Sequence, residues 1–139
     1  MSGKTITAAQ LRRIKSALGK VPFAQLIGIE VDEIGKGLAT LGLSIRHEHT
    51  QINGVVHGGV VASLIDTATA FAIISLLQPK ERVTTVDLTI SYLRPLTSGR
   101  ATAIAKVVRA GRRLFVVSAE VNDQGGKLAA TALSTYIKV

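Results

Sequence analysis

Gly58-Gly59-Val60-Val61-Ala62-Ser63-Leu64-Ile65-Asp66-Thr67-Ala68-Thr69-Ala70-Phe71-Ala72-Ile73-Ile74-Ser75-Leu76-Leu77 is an apolar run broken only by Ser63, Asp66, Thr67, Thr69 and Ser75. A helix of about 20 such residues is long enough to cross a bilayer. An aspartate near mid-span costs roughly 2.5 to 3.5 kcal/mol there, and the flanking segments alternate like soluble strands. The run therefore reads as a buried helix, apolar on every side, in the middle of a domain. Its expected bounds are 57–78: it follows a glycine-rich turn and stops at Gln78-Pro79, because the residue before proline is driven out of helical geometry.

The period changes on both sides of this helix. Upstream, Ala39, Leu41, Leu43 and Ile45 alternate with Thr40, Gly42, Ser44 and Arg46 after the turn signal Gly35-Lys36-Gly37, which predicts a hairpin with one buried face. Downstream, Val86, Leu88, Ile90 and Tyr92 alternate with Thr85, Asp87, Thr89 and Ser91 as far as Arg94-Pro95. Residues 100–109, 113–122 and 127–138 are rich in β-branched residues and are separated by Gly111-Arg112 and Asp123-Gln124-Gly125-Gly126, both hairpin signals. At the start of the chain, Thr7 and Gln10 form a capping-box pattern and Leu11, Ile14 and Leu18 fall at helical spacing. Residues 1–20 are thus expected to form an N-terminal amphipathic helix, with 8–18 as its regular part. One long helix with a hairpin before it and antiparallel strands after it is an α+β arrangement in which the sheet must curl around the helix.

Composition narrows the function. A chain of 139 residues has room for one domain, 1–139. Its 47% hydrophobic content argues against disorder. The absence of cysteine excludes a disulfide scaffold, a thiolate zinc site and a cysteine nucleophile, and a reducing cytoplasm is the expected location. The net charge of +8 favours acidic or phosphorylated partners. Five aromatic residues in apolar contexts supply stacking platforms poorly, so nucleic acid is not expected as a partner, and the aspartate within the apolar run argues against a membrane. His47 and His49 would share one face of a strand, but with only Glu48 beside them no metal is expected.

Gln51-Ile52-Asn53-Gly54-Val55-Val56-His57-Gly58-Gly59, with Asp66 nine residues after His57, carries the chemistry. The first turn of a helix offers backbone N–H groups without intrahelical partners, suited to an oxyanion, and glycine there lets substrate approach. Asp66 lies inside an apolar helix, so it must be paired, solvated through a pocket or shifted in acidity. Gly58 and Asp66 lie about 12 Å apart along one helix, too far to act on one carbonyl. Two antiparallel helices in a two-fold dimer would bring Gly58 of one subunit opposite Asp66 of the other.

This motif, with Thr85-Val86-Asp87-Leu88, Tyr92-Leu93-Arg94-Pro95, Gly99, Gly111-Arg112 and the turn 123–127, resembles the hotdog-fold acyl-CoA thioesterases of the phenylacetate-pathway type over roughly residues 25–139. The resemblance implies a curled antiparallel sheet around a central helix and acyl-CoA as substrate, with no cofactor beyond the coenzyme A of the substrate. It implies active sites that straddle a homodimer interface within a homotetramer. It also implies that Asp66 is nucleophile or general base, that Gln51 holds the thioester carbonyl and that Thr85 positions water. His57 orients the turn or contacts substrate.

Asn53 and Gly59 are candidate substrate contacts, and Ser63 and Thr67, on one stripe with Asp66, are expected to line the acyl pocket. Arg109, Arg112 and Arg113, around the Gly111 turn, are the expected holders of the coenzyme A phosphates through charge-assisted hydrogen bonds. Two rival readings are a non-catalytic acyl-CoA sensor and a hydratase or dehydratase on the same fold. The first has no use for an acid inside the helix; the second pairs its acid with a histidine in another segment, which this chain does not do.

Overall fold

In the computed structural model, which describes residues 6–139, the chain opens with a capped helix. Thr7 accepts from the Gln10 backbone N–H, and the Gln10 side chain accepts from the Thr7 N–H, closing the capping box at the start of α1 (Ala8–Gly19). Ile14 and Leu18 bury the inner face of α1. A second short helix, α2 (Pro22–Ile27), follows at once. Pro22 starts it and Gly28, at φ 89°, ends it in the left-handed region, the usual asymmetry of helix boundaries.

The strands are β1 (Ile29–Gly35), β2 (Leu38–Ser44), β3 (Val83–Tyr92), β4 (Arg100–Ala110), β5 (Leu114–Asn122) and β6 (Leu128–Lys138). They form one antiparallel sheet in the order β1-β2-β4-β5-β6-β3. The long helix α3 (Gly58–Ile74) lies in the concave face of that sheet, packed chiefly on β2, β4 and β5. Leu64, Ile65, Ala68, Ala72 and Ile73 are buried there with Leu41, Leu43, Val117 and Val121. Ala101, Ala103 and Ala105 on the inner face of β4 keep side-chain volume small, so helix and sheet can approach closely.

Several sequence expectations need correction. Residues 1–5 of the predicted 1–20 segment lie outside the described residues, and α2 was not foreseen, although Pro22 and Gly28 signal it. The central helix ends at Ile74 rather than at 78. Leu76 and Leu77 donate to Ile73 and Ile74 three residues back, so the chain tightens before Pro79. Its faces also differ: Gly59, Ala62, Ser63, Asp66, Thr67 and Ala70 stay at least partly exposed along one stripe. Among the described residues no helix is long and apolar enough to cross a membrane.

Two local irregularities overturn simple alternation. A bulge between Thr85 and Asp87 leaves Val86 unpaired and 56% exposed. The extra residue switches parity, placing Thr85 on the helix side with Leu88, Ile90 and Tyr92 rather than opposite them. His47 and His49 sit in a single 3-10 turn (His47–His49), not on a strand. His49 is buried: its Nδ1 accepts from the Arg46 N–H at 2.9 Å and its Nε2 lies 2.7 Å from the Ile27 carbonyl, to which it donates. Both ring nitrogens are thereby committed, and His49 ties the 3-10 turn to the end of α2.

Gly28 holds α2 in place, because a Cβ there would come within 2.8 Å of the Arg46 guanidinium that anchors on the Leu26 carbonyl. Gly28→Ala, at positive φ, is expected to cost about 1–2 kcal/mol. Thermal unfolding should show a fall in Tm of several degrees.

Candidate active site

The first turn of α3 is shaped by His57. Its backbone is extended (φ −61°, ψ 135°), and its Nδ1 accepts the Gly59 N–H at 2.8 Å, making it the helix N-cap. His57 therefore uses up the Gly59 donor, whereas the Gly58 N–H has no acceptor among the described residues. Both glycines have close neighbours. A Cβ on Gly59 would meet His57 Nδ1 at 2.9 Å, and one on Gly58 would meet the Tyr92 hydroxyl at 3.3 Å.

That hydroxyl donates to the Gly58 carbonyl at 2.8 Å. In the sequence Tyr92 is legible only as a strand residue and a family marker. It is a positioning residue: it ties the end of β3 to the peptide that carries the exposed N–H donor. Its signal in the sequence was its place, directly before Leu93-Arg94-Pro95.

Two turns along α3, Asp66 is half-buried and hydrogen-bonded from the sheet. Thr85 Oγ1 donates to Asp66 Oδ1 at 2.9 Å. The Tyr136 hydroxyl lies 3.0 Å from the same oxygen and 2.7 Å from the Asp66 carbonyl, and Thr69 Oγ1 lies 2.8 Å from it. Thr85 and Tyr136 are direct partners in the β3–β6 ladder, so one cross-strand pair aims two hydroxyls at one carboxylate oxygen. Among the described residues nothing donates to Oδ2, which leaves it available for chemistry. Burial first, and then the Asp66 charge, push the Tyr136 phenol up to about 12 against the opposing hydrogen bonds of Thr69 and Thr85. Tyr136 is thus a neutral donor throughout the ordinary pH range. Sequence reasoning missed it because a tyrosine near the end of an apolar strand looks like core.

The remaining candidates divide. Ser63 and Thr67 turn their hydroxyls back to the Gly59 and Ser63 carbonyls of their own helix. Gln51 and Asn53 stand exposed on a small loop closed by Gln51 N–H to Val55 O and Gly54 N–H to Gln51 O, with Ile52 at its tip. Arg109, Arg112 and Arg113 are exposed at the β4–β5 turn, and the protomer does not bring them to Gly58. That turn lies at the other end of α3, where Val107 N–H donates to Gly37 O and Gly37 N–H to Ser75 Oγ.

A cleft of about 580 Å³ opens beside Gly58, walled by Val55, Val61, Tyr92, Arg94, Leu96 and Ala129. A second, of about 540 Å³, lies across the helix start against α2. Gly59 borders both.

A curled antiparallel sheet around one helix, with a glycine N–H unspent at the helix start and an acid two turns on, is the architecture of the hotdog thioester hydrolases. The thioesterase superfamily model matches residues 53–130. A Saccharolobus solfataricus protein named "Putative esterase SSO1253" is 37% identical over 111 residues, 80% of this chain and 73% of its own. The medium/long-chain acyl-CoA thioesterase YigI of Salmonella typhimurium is 28% identical over 132 residues, covering 84% of this chain and 85% of that protein. Among solved structures, the Escherichia coli PaaI protein from the phenylacetic acid degradation operon superposes with a TM-score of 0.86 at 25% identity, over 93% of this chain and 92% of that one. The chain belongs to the thioesterase superfamily and has the hotdog fold.

Tyr136→Phe removes the neutral donor from Asp66 and should cost about 1–3 kcal/mol of stability. The phenol is harder to ionise in the fold (about 12) than in the unfolded chain (about 10), so its contribution is complete below pH 10 and is lost as pH rises toward 12. Urea unfolding at pH 9 and pH 11.5 checks this: the gap between wild type and variant should shrink by about 2 kcal/mol at the higher pH.

Proposed function

We propose that the protein hydrolyses acyl-CoA thioesters to free acid and coenzyme A at two equal sites of a homodimer. In each, the Gly58 N–H of one subunit polarises the thioester carbonyl and Asp66 of the other activates water. The observation that carries this reading is the Asp66 carboxylate held through one oxygen by Thr85, with the Tyr136 hydroxyl shared between that oxygen and the Asp66 carbonyl, and the other carboxylate oxygen left open. Thr85 spends its only proton on Asp66, so a water beside it would donate one hydrogen to Thr85 Oγ1 and the other to Asp66 Oδ2. General-base catalysis is the better fit to that arrangement.

The reaction then balances simply. Asp66 takes the water proton as the new C–O bond forms, and the oxyanion is held by the Gly58 N–H and the positive end of the α3 dipole. Collapse breaks the C–S bond, and the departing thiolate takes its proton back from Asp66.

The requirement for two subunits comes from the roughly 12 Å rise between Gly58 and Asp66 on α3. The β3 edge of the sheet, with Val86, Tyr92 and Leu93 more than half exposed, supports the same reading. One relative supports a coenzyme A thioester substrate, since YigI carries that activity in its name. Two such dimers in a homotetramer remain the expected assembly.

Asp66→Asn should lower kcat by at least about 10²-fold. Gly58→Pro should do the same by deleting the donor: proline suits the first helical position, His57 already has the backbone geometry that precedes proline, and the added Cβ asks the exposed Tyr92 side chain to give by a few tenths of an ångström. Unfolding and remixing the two inactive variants should restore about a quarter of wild-type activity, through hybrid dimers with one intact site. No recovery would place both groups in one subunit's site. In H₂¹⁸O, single-turnover mass spectrometry should find the label in the product acid; label in Asp66 would make it the nucleophile instead.

A further inference from the structure

Both clefts at the start of α3 are walled by apolar groups, but they differ in charge. The cleft against α2 is lined by Phe23, Leu26, Ile27 and Val60, and its polar side chains mostly hold partners of their own, with His57 Nε2 the ring nitrogen left without one among the described residues. Arg46 donates to the Leu26 carbonyl at 2.9 Å and faces Glu48 at 3.9 Å. His49 uses both ring nitrogens, His57 Nδ1 holds the Gly59 N–H, and the Ser63 hydroxyl donates to the Gly59 carbonyl. A phosphate entering here would meet Glu48, and the cleft's one arginine already faces that carboxylate.

Phe23 and Leu26 nonetheless stand 55% and 72% exposed on a six-residue helix, which has no stability reason to present them to water. The cleft on the other side carries Arg94, for which no side-chain hydrogen bond or ion pair exists among the described residues. The two clefts meet at Gly59, one residue from the Gly58 N–H.

We infer that the substrate straddles the start of α3, with a hydrophobic acyl group of medium length in the cleft against α2, where Phe23 and Leu26 select it. The coenzyme A arm leaves past Tyr92 toward Arg94. This inference rests on the acyl-CoA reading above. A cleft of about 540 Å³ is of the size that encloses small organic ligands. Each methylene it covers is worth about 0.8 kcal/mol, or roughly fourfold in affinity, so α2 sets a chain-length preference. The assignment also displaces Arg109, Arg112 and Arg113 as the protomer's own contacts to the coenzyme A arm.

The test is calorimetric titration of the full-length protein with S-decyl-CoA, a thioether that cannot be hydrolysed, and with coenzyme A. The double variant Phe23→Ala/Leu26→Ala should weaken S-decyl-CoA binding at least tenfold more than coenzyme A binding. Leu26→Asp, at an exposed position that cannot disturb the core, should do the same. Arg94→Ala should weaken both ligands by similar factors. The inference is overturned if S-decyl-CoA binding in both α2 variants stays within twofold of wild type, or if wild type binds it no better than coenzyme A.

Turnover of decanoyl-CoA separates this inference from the reading it rests on. Wild type that binds S-decyl-CoA through α2 but does not hydrolyse decanoyl-CoA defeats the hydrolytic reading alone. Hydrolysis with the same chain-length preference in wild type and both α2 variants defeats the pocket alone.

Discussion

An ionisable carboxylate on a helix that lies against a β-sheet has to be met by donors, and in this protein the sheet supplies them from one rung of its ladder. Thr85 and Tyr136 face each other across β3 and β6 and both reach Asp66 Oδ1. The rung is aimed at the helix because β3 carries one extra residue at Val86. Without the bulge, the parity that buries Leu88 and Ile90 would turn Thr85 to the outer face. The same strand ends at Tyr92, which bonds the Gly58 carbonyl. One edge strand thus positions both the acid and the peptide that carries the N–H donor, each through a hydroxyl.

The start of α3 shows how capping and chemistry divide a scarce resource. A helix has four N–H groups without intrahelical acceptors, and whatever caps it removes some from use. His57 takes the Gly59 N–H and leaves that of Gly58. The glycine pair follows from neighbours as much as from substrate, since His57 presses on one and Tyr92 on the other. Backbone strain plays no part at either position, as neither has positive φ.

The exposed stripe along α3 and the solvated β3 edge are the places where a single protomer is unfinished. A central helix that was expected to be buried all round instead leaves Asp66 and its small neighbours accessible. In the proposed dimer that stripe faces its two-fold copy, which brings the donor of one helix to the acid of the other. Around it, α2 and the 3-10 turn fastened to it by His49 and Arg46 form the wall to which we assign substrate selection. In the proposed reading the catalytic groups sit on the central helix and the sheet, and selection falls to a short connecting helix.

Much was legible in the sequence because it was local or periodic. The apolar run 58–77, the hairpins around Gly35–Gly37, Gly111 and Gly125, the Thr7 capping box and an acid out of place at Asp66 are all written in spacing and residue type. The pattern of motif and markers added the family. Tertiary structure alone decided which partners meet. Tyr136 lies 70 residues from Asp66 and Tyr92 lies 34 from Gly58, and no periodicity reports such pairings. The bulge at Val86 was invisible because an inserted residue leaves the composition of a strand unchanged while inverting its faces. His47 and His49 read as a strand pair until the chain turned there. The arginines around Gly111 were grouped by sequence proximity, but the sheet carries their turn to the far end of α3. Sequence spacing determines what lies along one element, whereas the sum of burial and hydrogen-bond satisfaction over the whole fold determines what lies across from it.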